Sequence, residues 1–198
     1  MGTDTTRYVD RDSMLDDILE TQTLYGNHTL ILYSDVADFR HLYLNYIKRS
    51  LQSLNEMVLM LPYYNTVIDV VNNLRSTGID IDKYKKEGSL VIVQSEKAHY
   101  SLSQEFVGVM IMTKMLLRRL DKLGKAGITI ISDMGLFFHR NKLEDLTKCE
   151  MELMTSVNNI KVKVWCCYNK SDFDMLSEPQ MRENLLKAHD HKVVNIPP

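Results

Sequence analysis

Short apolar runs alternate with amphipathic stretches along the chain. The apolar runs are continuous, which is typical of strands that are buried on both faces of a parallel sheet. The pattern therefore predicts a three-layer α/β fold, in which a mostly parallel central sheet is flanked by helices. Strands are predicted at residues 28–33, 56–61, 89–94, 128–132 and 161–168, with a short last strand at 193–196.

Between these runs, apolar residues recur every three or four positions, which is the spacing of an amphipathic helix. The helix from residue 106 is the longest predicted, and the one that opens at Ser177 has Gln180 three residues later, a capping-box pattern. Gly78 is expected to end the second helix. Helices are predicted at residues 39–51, 65–78, 106–123 and 143–157 and from residue 177 onwards, with a further one at 14–24.

Length and composition favour a single domain. The chain has 198 residues, of which 44% are hydrophobic, and this is enough to bury one sizeable core. Residues 1–26 are expected to form an N-terminal helix that packs on the sheet edge or on a partner, and residues 27–198 to form the α/β domain. The net charge of −2 gives no excess of either sign that would draw the protein to nucleic acid or to a membrane.

The cysteines and the start of the chain indicate a cytoplasmic protein. Cys149, Cys166 and Cys167 are odd in number and have neither CxxC nor metal-site spacing, so we expect them to be reduced and buried. The first residues are polar and acidic, which predicts no secretory signal. The apolar runs are far shorter than the roughly 20 residues that span a bilayer.

The loop after the first strand lacks the features of a phosphate-binding site. A phosphate-binding loop needs GxxxxGK[ST], but Ser34 and Asp35 stand there, followed by Asp38. Two carboxylates at a helix N-terminus would repel a phosphate. Ser34 and Asp35 remain candidate ligand-binding residues because ligands of parallel sheets lie beyond the carboxyl ends of the strands; the alternative is that one of them caps the helix.

The loops after the second and third strands carry further candidates. Tyr63 and Tyr64 could line an apolar pocket or simply cover the edge of the core. Residues 95–100 bring together an acid, Glu96, a base and a phenol, as an acid/base site would, but a surface loop often has the same mixture.

The ends of the fourth and fifth strands carry Asp133 and Tyr168. In nucleotide hydrolases an aspartate placed like Asp133 would hold magnesium; without a phosphate-binding loop, capping or hydrogen bonding at the sheet edge is the favoured role. Tyr168 could reach a ligand or could pack at the end of its strand.

No further motif indicates catalysis, a cofactor or a metal. A GxSxG nucleophile motif is absent from the sequence, and this motif is the signature of one large class of serine hydrolases. His189 and His191 lack Cys or carboxylate neighbours at familiar ligand spacing, so no metal site is predicted. A basic stripe could meet phosphates or an acidic partner, but a solvated helix face is the favoured interpretation; it comprises Lys114, Arg118, Arg119, Lys122 and Lys125.

The order of these segments resembles the MEDS family, named for methanogens, methylotrophs and the DcmR sensory protein. The resemblance covers about residues 26–194. The segments that carry it are HTLILYSDVADFRHLYLNYIKRSL, VLMLPYY, LRSTGIDIDKYKKEGSLVIV, GITIISDMG and KVKVWCCYNKSDFDMLSEPQMRENLLKAHDHKVV. The family resembles KaiC- and RecA-type ATPases in fold, with the nucleotide motifs lost, so the resemblance implies a RecA-like fold with a degenerate phosphate-binding loop.

The resemblance also implies a signalling domain that senses small organic molecules. His28, Tyr33, Glu150 and Tyr168 stand where the family tends to carry a histidine, an aromatic, a helix glutamate and a strand-closing tyrosine, which adds Tyr33 and Glu150 to the candidate ligand-binding residues. The chain departs from the family at residues 132–136, where SDMGL replaces a more typical GDMSW.

Three functions follow as expectations. The first is a non-enzymatic sensory domain that binds a small, largely apolar organic ligand and relays the signal to a protein partner, a transcription regulator or a kinase. The second is an oligomerisation or protein-interaction module without a ligand. The third is a residual nucleotide-binding protein. No cofactor and no direct contact with nucleic acid or membrane is expected.

Overall fold

The central sheet confirms the predicted fold class. The computed structural model describes residues 24–190 and 192–196. Six parallel strands form one sheet in the order β3-β2-β4-β5-β1-β6. Each predicted strand is present, and most bounds differ from the prediction by one or two residues. The strands are β1 (His28–Tyr33), β2 (Met57–Leu61), β3 (Leu90–Ile92), β4 (Ile128–Asp133), β5 (Val162–Asn169) and β6 (Val193–Asn195).

Helices cover both faces of the sheet, as a three-layer fold requires. In chain order they are α1 (Val36–Gln52), α2 (Val67–Ser76), α3 (Ile81–Glu87), α4 (Ser95–His99), α5 (Met110–Leu120), α6 (Gly135–His139), α7 (Leu143–Ser156), α8 (Lys170–Asp174) and α9 (Pro179–Ala188), with a 3₁₀ turn at Asp121–Leu123. Among the described residues, no helix has both the length and the apolar character to cross a membrane.

Two hydrophobic cores lie on opposite faces of the sheet. The core beneath α5, α7 and α9 takes Val164 and Cys166 from β5, whereas the core beneath α1 and α2 takes Trp165 and Cys167 from the same strand. This alternation is the two-residue period of a strand. On the second face, the Trp165 ring stacks on Tyr46 of α1 with the ring centroids 3.6 Å apart.

The helix after the third strand starts later than predicted. Phe106 is not helical: it forms an isolated antiparallel bridge with Tyr100, and Gly108 adopts a φ of +65° before α5 begins at Met110. Since a left-handed residue interrupts a right-handed helix, the apolar spacing from Phe106 onwards was misleading. With 11 residues, α5 is also shorter than the 17 residues of α1, so its prediction as the longest helix is wrong.

The start of the last helix was also predicted wrongly. Ser177 and Gln180 form no capping box: α9 begins at Pro179 without a side-chain cap hydrogen bond. Proline is favoured at the first helical position because its missing N–H would have no partner there. Gly78, with a φ of +80°, follows the end of α2 as predicted. The predicted helix at 14–24 lies almost wholly outside the described residues.

The connections that follow the parallel neighbours β2 and β4 run to opposite sides of the sheet. After β2 the chain continues to β3 at the edge of the sheet, and after β4 it continues to β5 on the other side. Such a switch point opens a crevice at the carboxyl ends of the strands, and ligands of open α/β sheets bind there. The loops after β2 and β4 are therefore the first place to look for a site.

A buried ion pair lies near the amino ends of the strands. Lys163 of β5 contacts Glu56, just before β2, with Nζ 2.7 Å from Oε1 and both side chains almost fully buried. Glu56 also accepts hydrogen bonds from the hydroxyls of Thr129 (2.7 Å) and Tyr25 (2.8 Å). Burial lowers the pKa of Lys163, and Glu56 opposes that effect. The pair explains how a lysine can occupy an otherwise apolar strand.

Replacing Lys163 by methionine should destabilise the protein by about 3–5 kcal/mol, because it leaves the Glu56 carboxylate buried without its counter-charge. Urea unfolding would measure the loss. The matched control is Arg75→Met, which breaks the exposed pair between Arg75 and Asp82 and should cost about 1 kcal/mol or less. Equal effects of the two substitutions would contradict a structural role for the buried pair.

Candidate functional site

Asp133 closes the crevice between β2 and β4. It ends β4 and is completely buried. Its Oδ2 accepts the backbone N–H groups of Tyr63 (3.2 Å) and Tyr64 (3.0 Å), and its Oδ1 accepts the N–H of Gly135 (3.2 Å) and the hydroxyl of Tyr33 (3.3 Å). The carboxylate thus joins the ends of β1, β2 and β4. This confirms the interpretation of Asp133 as a hydrogen-bonding residue at the sheet edge.

The Asp133 carboxylate is stabilised by hydrogen-bond donors and not by a counter-charge. Burial raises its pKa to about 6, and the hydrogen bonds from Tyr64, Gly135, Tyr63 and Tyr33 act in the opposite direction. Burial beside Asp133 raises the pKa of the Tyr33 phenol as well, so that phenol stays protonated. Asp133 and Tyr33 thus join the ends of three strands. Each oxygen of the Asp133 carboxylate already accepts two hydrogen bonds.

Tyr63 and Tyr64 pack over this edge. The Tyr64 hydroxyl donates to Oδ2 of Asp172 at 2.5 Å and lies 3.1 Å from Nε2 of His139. Gly135 fits beneath the two rings because it lacks a side chain: a Cβ there would lie 2.5 Å from a Tyr64 ring atom and 2.9 Å from one of Tyr63. The structure thus shows the two tyrosines covering the core edge.

Glu150 is the centre of a second buried polar group, on the opposite face of the sheet. Its Oε2 lies 2.9 Å from Nε2 of His28, 3.3 Å from Nε2 of His189 and 3.3 Å from Sγ of Cys166, while Tyr168 donates its hydroxyl to Oε1. All five side chains are buried. We name these five residues the Glu150 cluster; α7 supplies the glutamate, β1 and β5 supply three of its partners, and His189 follows α9.

Charge in the Glu150 cluster is balanced by the histidines. Burial favours the neutral form of Glu150, but the charge of His189 and the contacts of His189 and His28 outweigh it and hold the Glu150 pKa well below its usual value. Burial lowers the His189 pKa, yet Glu150 raises it further, so the net shift is upward. Burial and Glu150 together raise the pKa values of Cys166 and Tyr168.

The segment after β3 is a short helix, α4, and not a surface loop. Its His99 is completely buried against the Phe137 ring, and burial lowers the His99 pKa to about 4. Glu96 stands on the outer side of α4 and forms an ion pair with Arg140. The acid and the histidine of this segment therefore point to different environments and do not form an acid/base pair.

A groove of about 810 Å³ runs between α4, the following loop and α5. This volume lies within the usual range for small-molecule sites. We name it the α4–α5 groove. Its lining residues are Gln94, Glu96, Lys97, Ala98, Tyr100, Ser101, Leu102, Gln104, Val107, Gly108, Ile111 and Met112.

Comparison with known protein families matches residues 27–189 to the MEDS family, described as the methanogen/methylotroph, DcmR sensory domain. The chain belongs to the MEDS family. Its role is accordingly sensory. No curated protein matches the chain.

The structure divides the candidate residues of this MEDS domain among four places. Tyr33, Tyr63, Tyr64 and Asp133 meet at the β2–β4 crevice, and Glu150 and Tyr168 meet in the Glu150 cluster. Asp35 caps α1 by accepting the N–H of Ala37 at 2.7 Å, and Ser34 beside it is exposed. Glu96 lines the α4–α5 groove. A ligand role for each of them stays a prediction.

Several residues of these clusters carry no signal in the sequence. Cys166 and His189 are not predicted to lie beside Glu150, because only the fold of the sheet and α9 brings their polar atoms together. Asp172 and His139 of the β2–β4 crevice gave no signal either. Of the basic stripe, Lys114, Arg118, Arg119 and Lys122 are exposed and Lys125 is half-buried, consistent with a largely solvated face.

The unfolding free energy should reveal the titration of Asp133. The native pKa of about 6 exceeds the unfolded value of about 3.9, so the native state binds the proton more tightly. The resulting stabilisation is present below about pH 4 and is lost as the pH rises through about 6. The unfolding free energy of the wild type minus that of Asp133→Asn should therefore fall by about 2–3 kcal/mol as the pH rises through this range.

Urea unfolding at several pH values would measure that difference. Other titrating groups cancel between the two proteins. Asp35→Asn is the control: asparagine caps helices as well as aspartate does, and this variant should keep the wild-type pH profile. A flat difference curve for Asp133→Asn would show that Asp133 titrates at an ordinary pKa.

Proposed function

We propose that this MEDS domain is a non-enzymatic sensor that binds a small, largely apolar organic molecule in the α4–α5 groove. The observation that carries the proposal is the groove itself, which lies beyond the carboxyl end of β3, has the volume of a small-molecule site and is lined mainly by apolar side chains. Ligands of parallel sheets bind at this end of the strands.

The polar groups of the groove favour an uncharged ligand. Arg140 forms an ion pair with Glu96 and also donates to Oε1 of Gln104 at 3.0 Å, so the acidic side chain is already compensated. The neutral groups Gln94 and Ser101 also line the groove. Lys97 is the only cation among the described residues that line the groove. Such a site would give a small hydrocarbon derivative an apolar surface and a few hydrogen-bonding partners, and a single lysine makes no cluster of cations for a phosphate.

The groove is connected to α5 through the loop at 101–109. Both Val107 and Gly108 donate their N–H groups to the carbonyl of His99 at the end of α4, at 2.8 and 3.2 Å. The positive φ angles of Gln104 and Gly108 set the shape of this loop. A ligand that contacts both walls would favour one arrangement of the loop and of the first turn of α5, which is a population shift.

The exposed face of α5 is the route by which such a shift would reach a partner protein. Ile111 and Met115 lie one helical turn apart and are 56% and 60% exposed. A second hollow, of about 460 Å³, is lined in part by Met115, Arg118 and Arg119. Apolar side chains with a basic border suit a partner whose surface is apolar and acidic, such as a regulator or a kinase.

Ligand binding can be tested with a thermal-shift screen of nucleotides, small organic metabolites and short hydrocarbon derivatives. We expect at least one uncharged organic compound to raise Tm saturably. Ile111→Trp should fill the groove and weaken that binding by roughly tenfold or more. Ile68→Trp is the matched control, since Ile68 is an exposed helical isoleucine on α2 and should bind as wild type.

Each other result of the screen contradicts the proposal in its own way. Stabilisation by ATP alone would favour a residual nucleotide-binding protein. Equal loss of binding in Ile111→Trp and Ile68→Trp would place the ligand outside the α4–α5 groove. No shift with any compound would favour a protein-interaction module, the second function that the exposed face of α5 supports.

The interaction role of α5 predicts a separate effect. Met115→Glu should abolish association with a partner protein or with a second copy of the chain, because a charge replaces an apolar contact at the centre of the exposed face. Light scattering and pull-down with the wild-type chain as reference would measure it. Met151→Glu, at another exposed helical methionine, should associate as wild type; equal loss in both variants would contradict the assignment.

A further inference from the structure

We propose that His28, Glu150, Cys166 and His189 form a binding site for a transition-metal ion of the Zn²⁺ type. The inference goes beyond the proposed ligand groove and does not depend on it. One ligand atom from each residue lies within 4.8 Å of all the others, and all four residues are buried. Two imidazoles, a thiolate and a carboxylate are the donors that tetrahedral zinc sites use.

The spacing of the donor atoms fits a four-coordinate ion. Zinc bonds of about 2.0–2.3 Å place the corners of a tetrahedron about 3.3–3.8 Å apart. Nε2 of His28 lies 3.2 Å from Sγ of Cys166, and Oε2 of Glu150 lies 3.3 Å from both that sulfur and Nε2 of His189. The contact between His28 and Glu150, at 2.9 Å, and the two contacts of the Cys166 sulfur must each lengthen by a few tenths of an ångström.

The second ring nitrogen of each histidine is already oriented as in a metal site. Nδ1 of His28 lies 3.0 Å from the carbonyl of Ala188, and Nδ1 of His189 lies 2.7 Å from the carbonyl of Leu185. A carbonyl only accepts, so each Nδ1 carries the proton and each Nε2 faces the cluster. Backbone carbonyls bonded in this way fix the tautomer and orientation of metal-binding histidines.

His189 supplies an independent observation. Its Nε2 is buried and has no hydrogen-bond partner among the described residues: it lies 3.3 Å from Glu150, close enough for an ion pair but not aligned as a hydrogen bond. The Nε2 proton that Glu150 favours would be released when a metal ion binds, and the freed lone pair of this buried nitrogen would then coordinate the cation.

The charges of the site balance when a divalent ion is bound. A metal ion deprotonates the thiol that coordinates it, so Zn²⁺ with the Cys166 thiolate, the Glu150 carboxylate and two neutral imidazoles has no net charge. A neutral complex costs less free energy to bury away from water than a charged one. The hydroxyl of Tyr168 donates to Oε1 of Glu150, the oxygen turned away from the other donors, and so orients the carboxylate.

All four positions of such an ion would be filled by the protein, which is typical of a structural or regulatory site and not of a catalytic one. The ligands come from β1, α7, β5 and the residue that follows α9. A bound ion would tie α9 to the sheet and to α7. Because only the folded chain assembles the four donors, binding would raise the stability of the native state.

The test is a Co²⁺ and Zn²⁺ titration of the full chain, stripped with a chelator and kept reduced, without any organic ligand. We expect one ion to bind per chain. Bound Co²⁺ should give intense tetrahedral d–d absorption and a sulfur-to-cobalt charge-transfer band, and Zn²⁺ should displace it and raise Tm. A wild-type chain that shows neither the cobalt spectrum nor a zinc-dependent rise in Tm overturns the proposal.

Variants identify the ligands. Cys166→Ser should lose the charge-transfer band, whereas Cys167→Ser, whose thiol lies in the core on the other face of the sheet, should keep it. Tyr168→Phe keeps all four ligands and should weaken metal binding by about 10–100-fold. Loss of the band in Cys167→Ser with retention in Cys166→Ser, or unchanged affinity in Tyr168→Phe, would contradict the site as proposed.

Discussion

Three carboxylates buried beside one parallel sheet determine how its strands and helices are held. A buried carboxylate is stable only with counter-charges or several hydrogen-bond donors. Each of the three carboxylates is stabilised by a different set of partners. Glu56 has a lysine and two hydroxyls near the amino ends of the strands. Asp133 has backbone amides and a phenol at the carboxyl ends. Glu150 has two histidines, a thiol and a phenol beneath α7 and α9.

The groups that surround these carboxylates differ in whether an ion or a ligand could replace them. The donors to Asp133 are mainly backbone N–H groups at the ends of strands, so the crevice between β2 and β4 is rigid and already filled. The donors around Glu150 are side chains, and in the proposed metal site their protons would give way to a metal ion. The groove that we propose for an organic ligand therefore lies along α4 and α5, beyond the carboxyl end of β3, and not at the switch point where open α/β sheets commonly bind their ligands.

Sequence patterns predicted the sheet well because its strands are buried on both faces and appear as apolar runs. The short helices α3, α4, α6 and α8 were missed, since one or two turns are too few to show a 3.6-residue period. The hydrogen-bonding role of Asp133 could be predicted because one strand end places it. The Glu150 cluster could not: His28 and His189 stand at opposite ends of the sequence, and strand order alone brings them together.

The groove and the Glu150 cluster are joined by a short series of contacts. The backbone carbonyl of His99 accepts the N–H groups of Val107 and Gly108 from the groove loop. The Nδ1 atom of the His99 ring lies 3.8 Å from Sγ of Cys149, the residue before Glu150 in α7. The stacked pair of Tyr46 and Trp165 lies on the other face of the sheet. Because Trp165 is the only tryptophan in the chain and directly precedes Cys166 in β5, its fluorescence is an optical signal from the centre of the sheet that requires no added label.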